Sequence, residues 1–364
     1  MVLIDAANVS GGGAILLQYL VDQLSERGLP YFVLKKPAVS LTAPAGQYAD
    51  AQINLLNRQS MLRTYIQQVK PKTILCFGNF PPPFYTGVRT VTYFHNSHYL
   101  KGHDRRNFSR NHYLKRLLRR LYLQTNLDYS ELFVVQIPVI REAFVKTFGV
   151  QGTRLQTLPF YNQERIEQIK AEEQEARVVK NRNAFIYASS SEPHKNHANL
   201  LKAWAVLHQR GFTPTLYLTI SPNSPYTTPA LLQQIDILKR KGVAIINKGS
   251  LPYDDLLRLT YSCSACIFPS VNETLGLGLV ESYWMGNSVL AGRRPYLSDV
   301  VRPSADFDPH DPESIADAVV QYMTGSLPET ELVINNQINE FIELLYPQKA
   351  QLTAKIDSQT VPSR

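Results

Sequence analysis

The chain has 364 residues, a formal net charge of +8 at pH 7 and a sequence pI of about 9.2. Its 44% hydrophobic and 19% charged content excludes a disordered chain, and its length exceeds one ordinary core, so two domains are expected. No apolar run approaches the length of a membrane span.

The first residues, "MVLIDAANVS", lack a basic leader region and carry Asp5 early, which argues against a signal peptide and for a cytoplasmic setting. Cys76, Cys263 and Cys266 are an odd, small set that fits a reducing compartment. "CSAC" (263–266) has a metal-like spacing but no further soft ligands nearby, so it reads as part of a buried strand. The excess of positive charge leaves nucleic acid, an anionic membrane surface and phosphorylated ligands open.

Along the chain, "VLIDAAN" (2–8) reads as a buried strand. "VSGGG" follows, and Ile15, Leu16, Tyr19, Leu20 and Leu24 then carry helical spacing up to Gly28, a plausible residue to end the helix. "LPYFVL" (29–34) completes a strand–loop–helix–strand crossover. Further strands are expected at 72–78, 89–95 and 131–138. The stretch 161–183 turns charged and polar and is expected to connect the two domains.

The opening unit then recurs. A strand at 184–189 leads through the polar loop "SSEPHKNH" (190–197) into a helix at 198–211 and a strand at 213–220. Strands follow at 242–247, 263–269 and 288–292, and a helix over 311–323 opens with Asp311 and Pro312. A last helix is expected over 331–346. The expected fold is α/β: two doubly wound halves, 1–160 and 184–330, facing a cleft, with 331–364 packing back on the first. Ligands in such sheets sit beyond the carboxyl ends of the strands.

The stretch "PSVNETLGLGLVESYWMGN" (269–287) follows one of these strands and places Glu273 and Glu281 eight positions apart. Gly276 and Gly278 permit close approach of backbone to a ligand. The helix that begins near Leu277 offers free N–H groups to a phosphate. Carboxylates suit hydroxyl-rich ligands, because they accept hydrogen bonds strongly. Spacing alone fits equally well with acids placed near a helix N-terminus by its dipole.

This stretch resembles the E-x7-E signature of retaining glycosyltransferases of family 4, which have the GT-B fold. The resemblance extends to "GGGAILLQYLVDQLSERG", "ASSSEPHKNHANLLKAW" and "YDDLLRLTYSCSACIFPS". It implies that Glu273 faces the transferred sugar, Glu281 binds the nucleotide ribose, and backbone at Gly276 and Leu277 holds the distal phosphate. Lys195 would neutralise the diphosphate, Gly11, Gly12 and Gly13 would lie against the donor, and Gly249 would touch the base. His95 would line the transfer centre, with His98 and His103 close by as alternatives.

One departure stands out. Ser190 occupies the place of an arginine that the family keeps before its lysine, and His194, Arg293 and Arg294 are the nearby candidates to replace it. Gly278 also stands where a proline is usual. No histidine cluster suggests a metal, and no cofactor is expected.

The segment "KGHDRRNFSRNHYLKRLLRR" (101–120) is strongly basic, with Leu114, Leu117, Leu118 and Leu121 at helical spacing. It reads as a helix packed by its leucines, as a contact for anionic lipid, or as a nucleic-acid contact; the last lacks any supporting signature. These features point to a glycosyltransferase that moves a sugar from a nucleotide-diphosphate donor to a glycan or lipid-linked glycan, in cell-surface polysaccharide synthesis. A nucleotide-sugar epimerase or hydrolase, and a non-catalytic nucleotide- or glycan-binding protein, are the alternatives.

Overall fold

The computed structural model describes residues 1–347 apart from 10, 38, 45, 51, 53–56 and 102–109, so His103 and the first half of the basic segment lie outside the described residues. Two parallel sheets form two α/β domains with the GT-B arrangement. The first sheet has the order β3-β2-β1-β4-β5-β6-β7. Its strands are β1 (Val2–Ala6), β2 (Tyr31–Lys35), β3 (Tyr48–Asp50), β4 (Thr73–Cys76), β5 (Arg89–Tyr93), β6 (Leu132–Val135) and β7 (Leu155–Thr157). Helices α1 (Gly12–Glu26), α2 (Arg58–Val69), α3 (Arg110–Thr125) and α4 (Pro138–Phe148) alternate with them.

The second sheet has the order β10-β9-β8-β11-β12-β14. It comprises β8 (Asn181–Tyr187), β9 (Thr215–Leu218), β10 (Ile245–Asn247), β11 (Cys263–Phe268), β12 (Ser288–Gly292) and β14 (Ala305–Phe307). Its helices are α6 (His197–Gln209), α7 (Pro229–Arg240), α8 (Tyr253–Ser262), α9 (Leu277–Trp284), α10 (Leu297–Val300) and α11 (Pro312–Thr324). β13 (Val301–Arg302) and β15 (Glu331–Leu332) make a small antiparallel ladder.

Every ladder in the two large sheets is parallel. The central strands are buried on both faces, which is why β1, β4 and β11 read as continuous apolar runs. In the first sheet the strand order reverses between β1 and β4, and in the second between β8 and β11. Those two reversals mark where ligands are expected.

Several local expectations hold. Gly28 has φ +62 and follows α1, where a left-handed residue lets the chain leave the helix. Asp311 accepts the N–H of Glu313 and caps α11, with Pro312 in its first turn. The three cysteines are free and buried. Burial pushes the thiols of Cys263 and Cys266 up to about 12, as expected of core residues.

The connecting stretch 161–183 contains α5 (Gln163–Glu175), which docks on α8. Ile166 and Ile169 pack with Leu257, Arg165 pairs with Asp254, and Arg258 pairs with Glu172 and Glu173. The helix expected over 331–346 is shorter: Glu331 and Leu332 pair with β13, and α12 (Ile338–Leu345) starts only after Asn336. The Asn336 side chain bonds both the carbonyl and the N–H of Tyr161, which fixes an extended approach before the helix. α12 buries Ile338, Phe341, Ile342 and Leu345 in the core of the first domain.

The leucines of α3 do not pack it onto the domain. Leu114, Leu118 and Leu121 are 56%, 57% and 57% exposed. The inward side instead carries Leu123, which is buried, Tyr122, whose ring meets Phe80 edge-on, and Arg116, which donates to the His98 carbonyl.

Candidate active site

The two strand reversals face each other, and the loops beyond them carry the residues singled out in the sequence. After β1 the glycine loop leads into α1. Gly11 has φ +54, and α1 starts at Gly12 with no side-chain cap on its first N–H groups. A Cβ at Gly12 would lie 3.1 Å from Leu277 Cδ1, so the absence of a side chain there lets α1 reach the first residue of α9 across the cleft. A Cβ at Gly13 would lie 3.3 Å from His95 Nε2.

His95 follows β5 and is held by Asn79, which follows β4. The Asn79 Oδ1 accepts the His95 backbone N–H at 2.7 Å, and its Nδ2 lies 3.2 Å from His95 Nε2. The first bond assigns the amide oxygen, so Nδ2 donates to the ring and Nε2 accepts. The imidazole then carries its proton on Nδ1, which is buried without a protein partner. Burial lowers the His95 pKa to about 4, so the ring is neutral at pH 7.

Asn79 itself has φ +74, and the chain beyond it is tied down by a buried guanidinium. Arg58 donates to Asp5 Oδ2 at 3.0 and 2.6 Å and to the carbonyls of Phe80 and Pro81. A buried charge needs such complete pairing. The sequence held one signal for Asn79, the "GNF" turn straight after an apolar strand; nothing marked its partnership with His95.

On the second side, Lys195 ends a short turn after β8, and Glu273 lies in the loop after β11. Their loops are stitched together by Val271 N–H and Ser270 Oγ, which donate to the His194 carbonyl, and by Asn196 Nδ2, which donates to the Pro269 carbonyl. Lys195 Nζ therefore meets Glu273 Oε1 at 2.7 Å, with both side chains largely buried.

α9 begins at Leu277 after Gly276, which has φ +74, and no side chain caps it. Gly278 packs where a Cβ would sit 3.2 Å from the Phe268 ring. Glu281, in the second turn of α9, is 4% exposed, and its Oε1 has no protein partner. Desolvation raises its pKa to about 7, opposed by the Tyr253 hydroxyl. Gly249 has φ +70, and its N–H donates to Asn247 Oδ1.

Ser190 sits on the rim, and its hydroxyl donates to Glu192. Of the three candidates to replace an arginine there, Arg293 pairs with Asp306 and Arg294 donates to the Val271 carbonyl. His194 is buried, and its ring stands edge-on to His98 at 4.5 Å. The structure thus brings His95, Glu273, Lys195, Leu277 and the glycine loop to one cleft, and His194 Nε2 lies 3.9 Å from the same Glu192 carboxylate oxygen that Ser190 bonds.

The two walls touch. Asn272 Nδ2 donates to Ser97 Oγ at 2.7 Å, and Thr274 Oγ1 donates to the His95 carbonyl at 3.2 Å. Farther out, Asp299 accepts the Val139 N–H at 2.7 Å and so caps the start of α4 from the other domain. Among the described residues no three His, Cys, Asp or Glu side chains converge as a metal-binding group.

Comparison with known proteins agrees with this geometry. A 145-residue segment is 27% identical to the serotype-specific mannosyltransferase WbdA of Escherichia coli; it covers 39% of this chain and 17% of that protein, so the chain spans under a fifth of this relative. Sucrose-phosphate synthase from Thermosynechococcus elongatus superposes with a TM-score of 0.68 at 15% identity, over 99% of each chain. HepE of Anabaena, solved in complex with UDP and glucose, superposes with a TM-score of 0.60 at 14% identity, over 98% of this chain and 99% of that one. Such distant structures show the fold. Residues 168–339, which hold Lys195, Glu273 and Glu281, match the family of glycosyl transferases group 1, and that match together with the mannosyltransferase segment supports a glycosyltransferase.

Proposed function

We propose that the chain is a retaining, metal-independent glycosyltransferase that moves a sugar from a nucleotide-diphosphate sugar to a hydroxyl of a glycan or lipid-linked glycan in cell-surface polysaccharide synthesis. The observation that carries this reading is the set at the second strand reversal: the uncapped N-terminus of α9, Lys195 on Glu273, and the unpartnered carboxylate oxygen of Glu281. Buried carboxylate oxygens need donors, and the two ribose hydroxyls of a nucleotide supply them. Departure of a nucleoside diphosphate develops negative charge, which Lys195 and the α9 N–H groups would stabilise. Glu273 would then face the sugar, His95 would line the reaction centre, and Gly249 would lie near the base. HepE was solved with UDP and glucose, which supports a nucleotide sugar as the donor. The proposed setting is cytoplasmic, at an anionic membrane surface met by the basic segment 101–120, with no role for nucleic acid.

The experiment is a thermal-shift series with UDP, GDP, dTDP and CMP, on the wild type and on Glu281→Ala, followed by NMR of the anomeric centre of the product. Stabilisation by one diphosphate, lost in the variant, and a product with the donor's anomeric configuration are expected. An inverted product would overturn retention. Donor consumed without an acceptor would instead mark an epimerase or hydrolase. A second reading, a family member that binds donor without turnover, draws on Ser190, whose neighbour is the acid Glu192 where a phosphate-binding cation is expected; donor binding with no transfer would favour it.

A further inference from the structure

α3 is amphipathic in the reverse sense to a helix of a globular core. Its polar side turns inward: Arg116 holds the His98 carbonyl at 3.0 and 2.7 Å, and Arg119 reaches the Tyr99 hydroxyl. Its apolar side turns outward: Leu114, Leu117, Leu118 and Leu121 stand at i, i+3, i+4 and i+7 and are all exposed. The row spans about 10 Å along one ridge. Scattered exposed leucines need no explanation, but four in register on one ridge do.

The charge around that ridge selects its occupant. The sequence of α3, "RNHYLKRLLRRLYLQT", contains no acidic residue, and Lys115, exposed, and Arg120, half-buried, flank the leucines on either side. A second copy of the chain meeting this face about a two-fold axis would set these cations against themselves. A convex apolar ridge flanked by cations suits a helix that lies in the plane of a bilayer, its leucines among the acyl chains and its cations at anionic headgroups.

We infer that α3 is a docking helix for an anionic lipid bilayer, inserted through Leu114, Leu117, Leu118 and Leu121. The inference deepens the membrane setting proposed above by adding insertion of the leucines to attraction of the basic segment, and it does not rest on sugar transfer. It has a geometric consequence for that reading. The inward side of α3 holds His98, in the same loop as Ser97, which touches Asn272 across the cleft. Docking through α3 therefore sets the mouth of the cleft beside the membrane, where an acceptor carried on lipid would be presented.

The test is cosedimentation of the full chain with phosphatidylcholine vesicles, with and without phosphatidylglycerol. Binding is expected with the anionic vesicles. Each leucine replaced by glutamine, starting with Leu118→Gln and Leu121→Gln, should lower the partition coefficient by on the order of tenfold. Lys115→Gln should lower it roughly fivefold, and only on anionic vesicles. These side chains are exposed, so the melting temperature should stay unchanged. A fluorophore on Leu118→Cys should shift to the blue on vesicles, because the three native cysteines are buried and out of reach of the label. No binding, or binding that survives loss of the leucines, would overturn the inference. So would a leucine-dependent dimer in sedimentation velocity, which would give the ridge to a second copy. Donor-induced thermal shifts in the leucine variants report separately on the active site.

Discussion

Lys195 and Glu273 neutralise each other across 2.7 Å, from loops after two adjacent strands, β8 and β11. In this structure the cation proposed for the diphosphate is thus engaged by the acid proposed for the sugar. A donor has to draw the ammonium away from that carboxylate, at least in part.

This competition gives opposite effects for the two partners. Lys195→Ala should lower transfer by about 10²–10³, the usual cost of losing one charge-stabilising contact. Glu273→Gln should also abolish most transfer, yet bind nucleoside diphosphate more tightly, by about tenfold, because a charged hydrogen bond no longer competes for Lys195. Isothermal titration with the diphosphate decides this; weaker binding by Glu273→Gln would mean that Lys195 does not serve the phosphates.

Glu281 makes stability and donor affinity depend on pH. Its carboxyl is raised from 4.5 to about 7 by burial. Below about 4.5 both folded and unfolded chains hold the proton, and no penalty arises. As pH rises towards 7 the unfolded chain releases it while the folded chain keeps it, so stability falls; above about 7 the loss is complete, on the order of 3 kcal/mol. Glu281→Gln should therefore gain melting temperature over the wild type from pH 4.5 to pH 7 and hold a constant gain above. Donor affinity should move the other way and rise with pH through 7, because ribose hydroxyls donate best to the ionised carboxylate. A flat difference between wild type and variant across pH would refute the burial argument.

Asn79 fixes the proton on the His95 ring. Its Oδ1 is taken by the His95 N–H, so only its Nδ2 can face Nε2, and the Nδ1–H tautomer follows. Nitrogen-15 NMR of labelled histidine should show that tautomer, neutral down to about pH 4, in line with the depressed pKa of the buried ring. Asn79→Asp puts an acceptor where Nδ2 was. It should switch the ring to the Nε2–H form and raise its pKa, while kcat falls more than donor affinity. An unchanged tautomer in Asn79→Asp would show that the amide is not in control.

Gly12 keeps the cleft narrow. A Cβ there would come within 3.1 Å of Leu277 Cδ1, the residue that opens α9. Gly12→Val should hold the two helix starts apart and weaken donor binding by roughly tenfold, with little change in melting temperature since each domain's core is untouched. Gly12→Val combined with Leu277→Ala should recover much of that loss, which a local backbone defect in α1 would not permit.

Most of the sheet framework was legible in the sequence, because parallel strands buried on both faces leave continuous apolar runs. β3, β7 and β14 were not: each is three residues long, and β3 lies at a sheet edge with Tyr48 and Asp50 exposed, so no run marks it. The leucine row of α3 was visible in the sequence, but its direction was not, since helical spacing defines a face without saying what it faces. The E-x7-E stretch named Glu273 and Glu281. It could not show that one is paired with a lysine and the other buried beside the Tyr253 hydroxyl with one oxygen left without a partner, as this depends on Lys195, 78 positions away, and on packing around Tyr253. Asn79 was missed for the same reason: its role is defined by a ring on the neighbouring strand.

The return of α12 has a consequence for the order in which this protein is made. Phe341 lies 5.0 Å from Phe160 and 5.3 Å from Tyr93, so it fills a place in the core built around β1 and β5. A ribosome delivers the first sheet before the second, and that phenylalanine only after every strand of the second sheet has emerged. Of the two domains, the one whose strands come earlier is therefore completed after the other. Until residue 345 is released, its aromatic core stays open on one side, and the finished second domain waits beside a partner that only α12 can close.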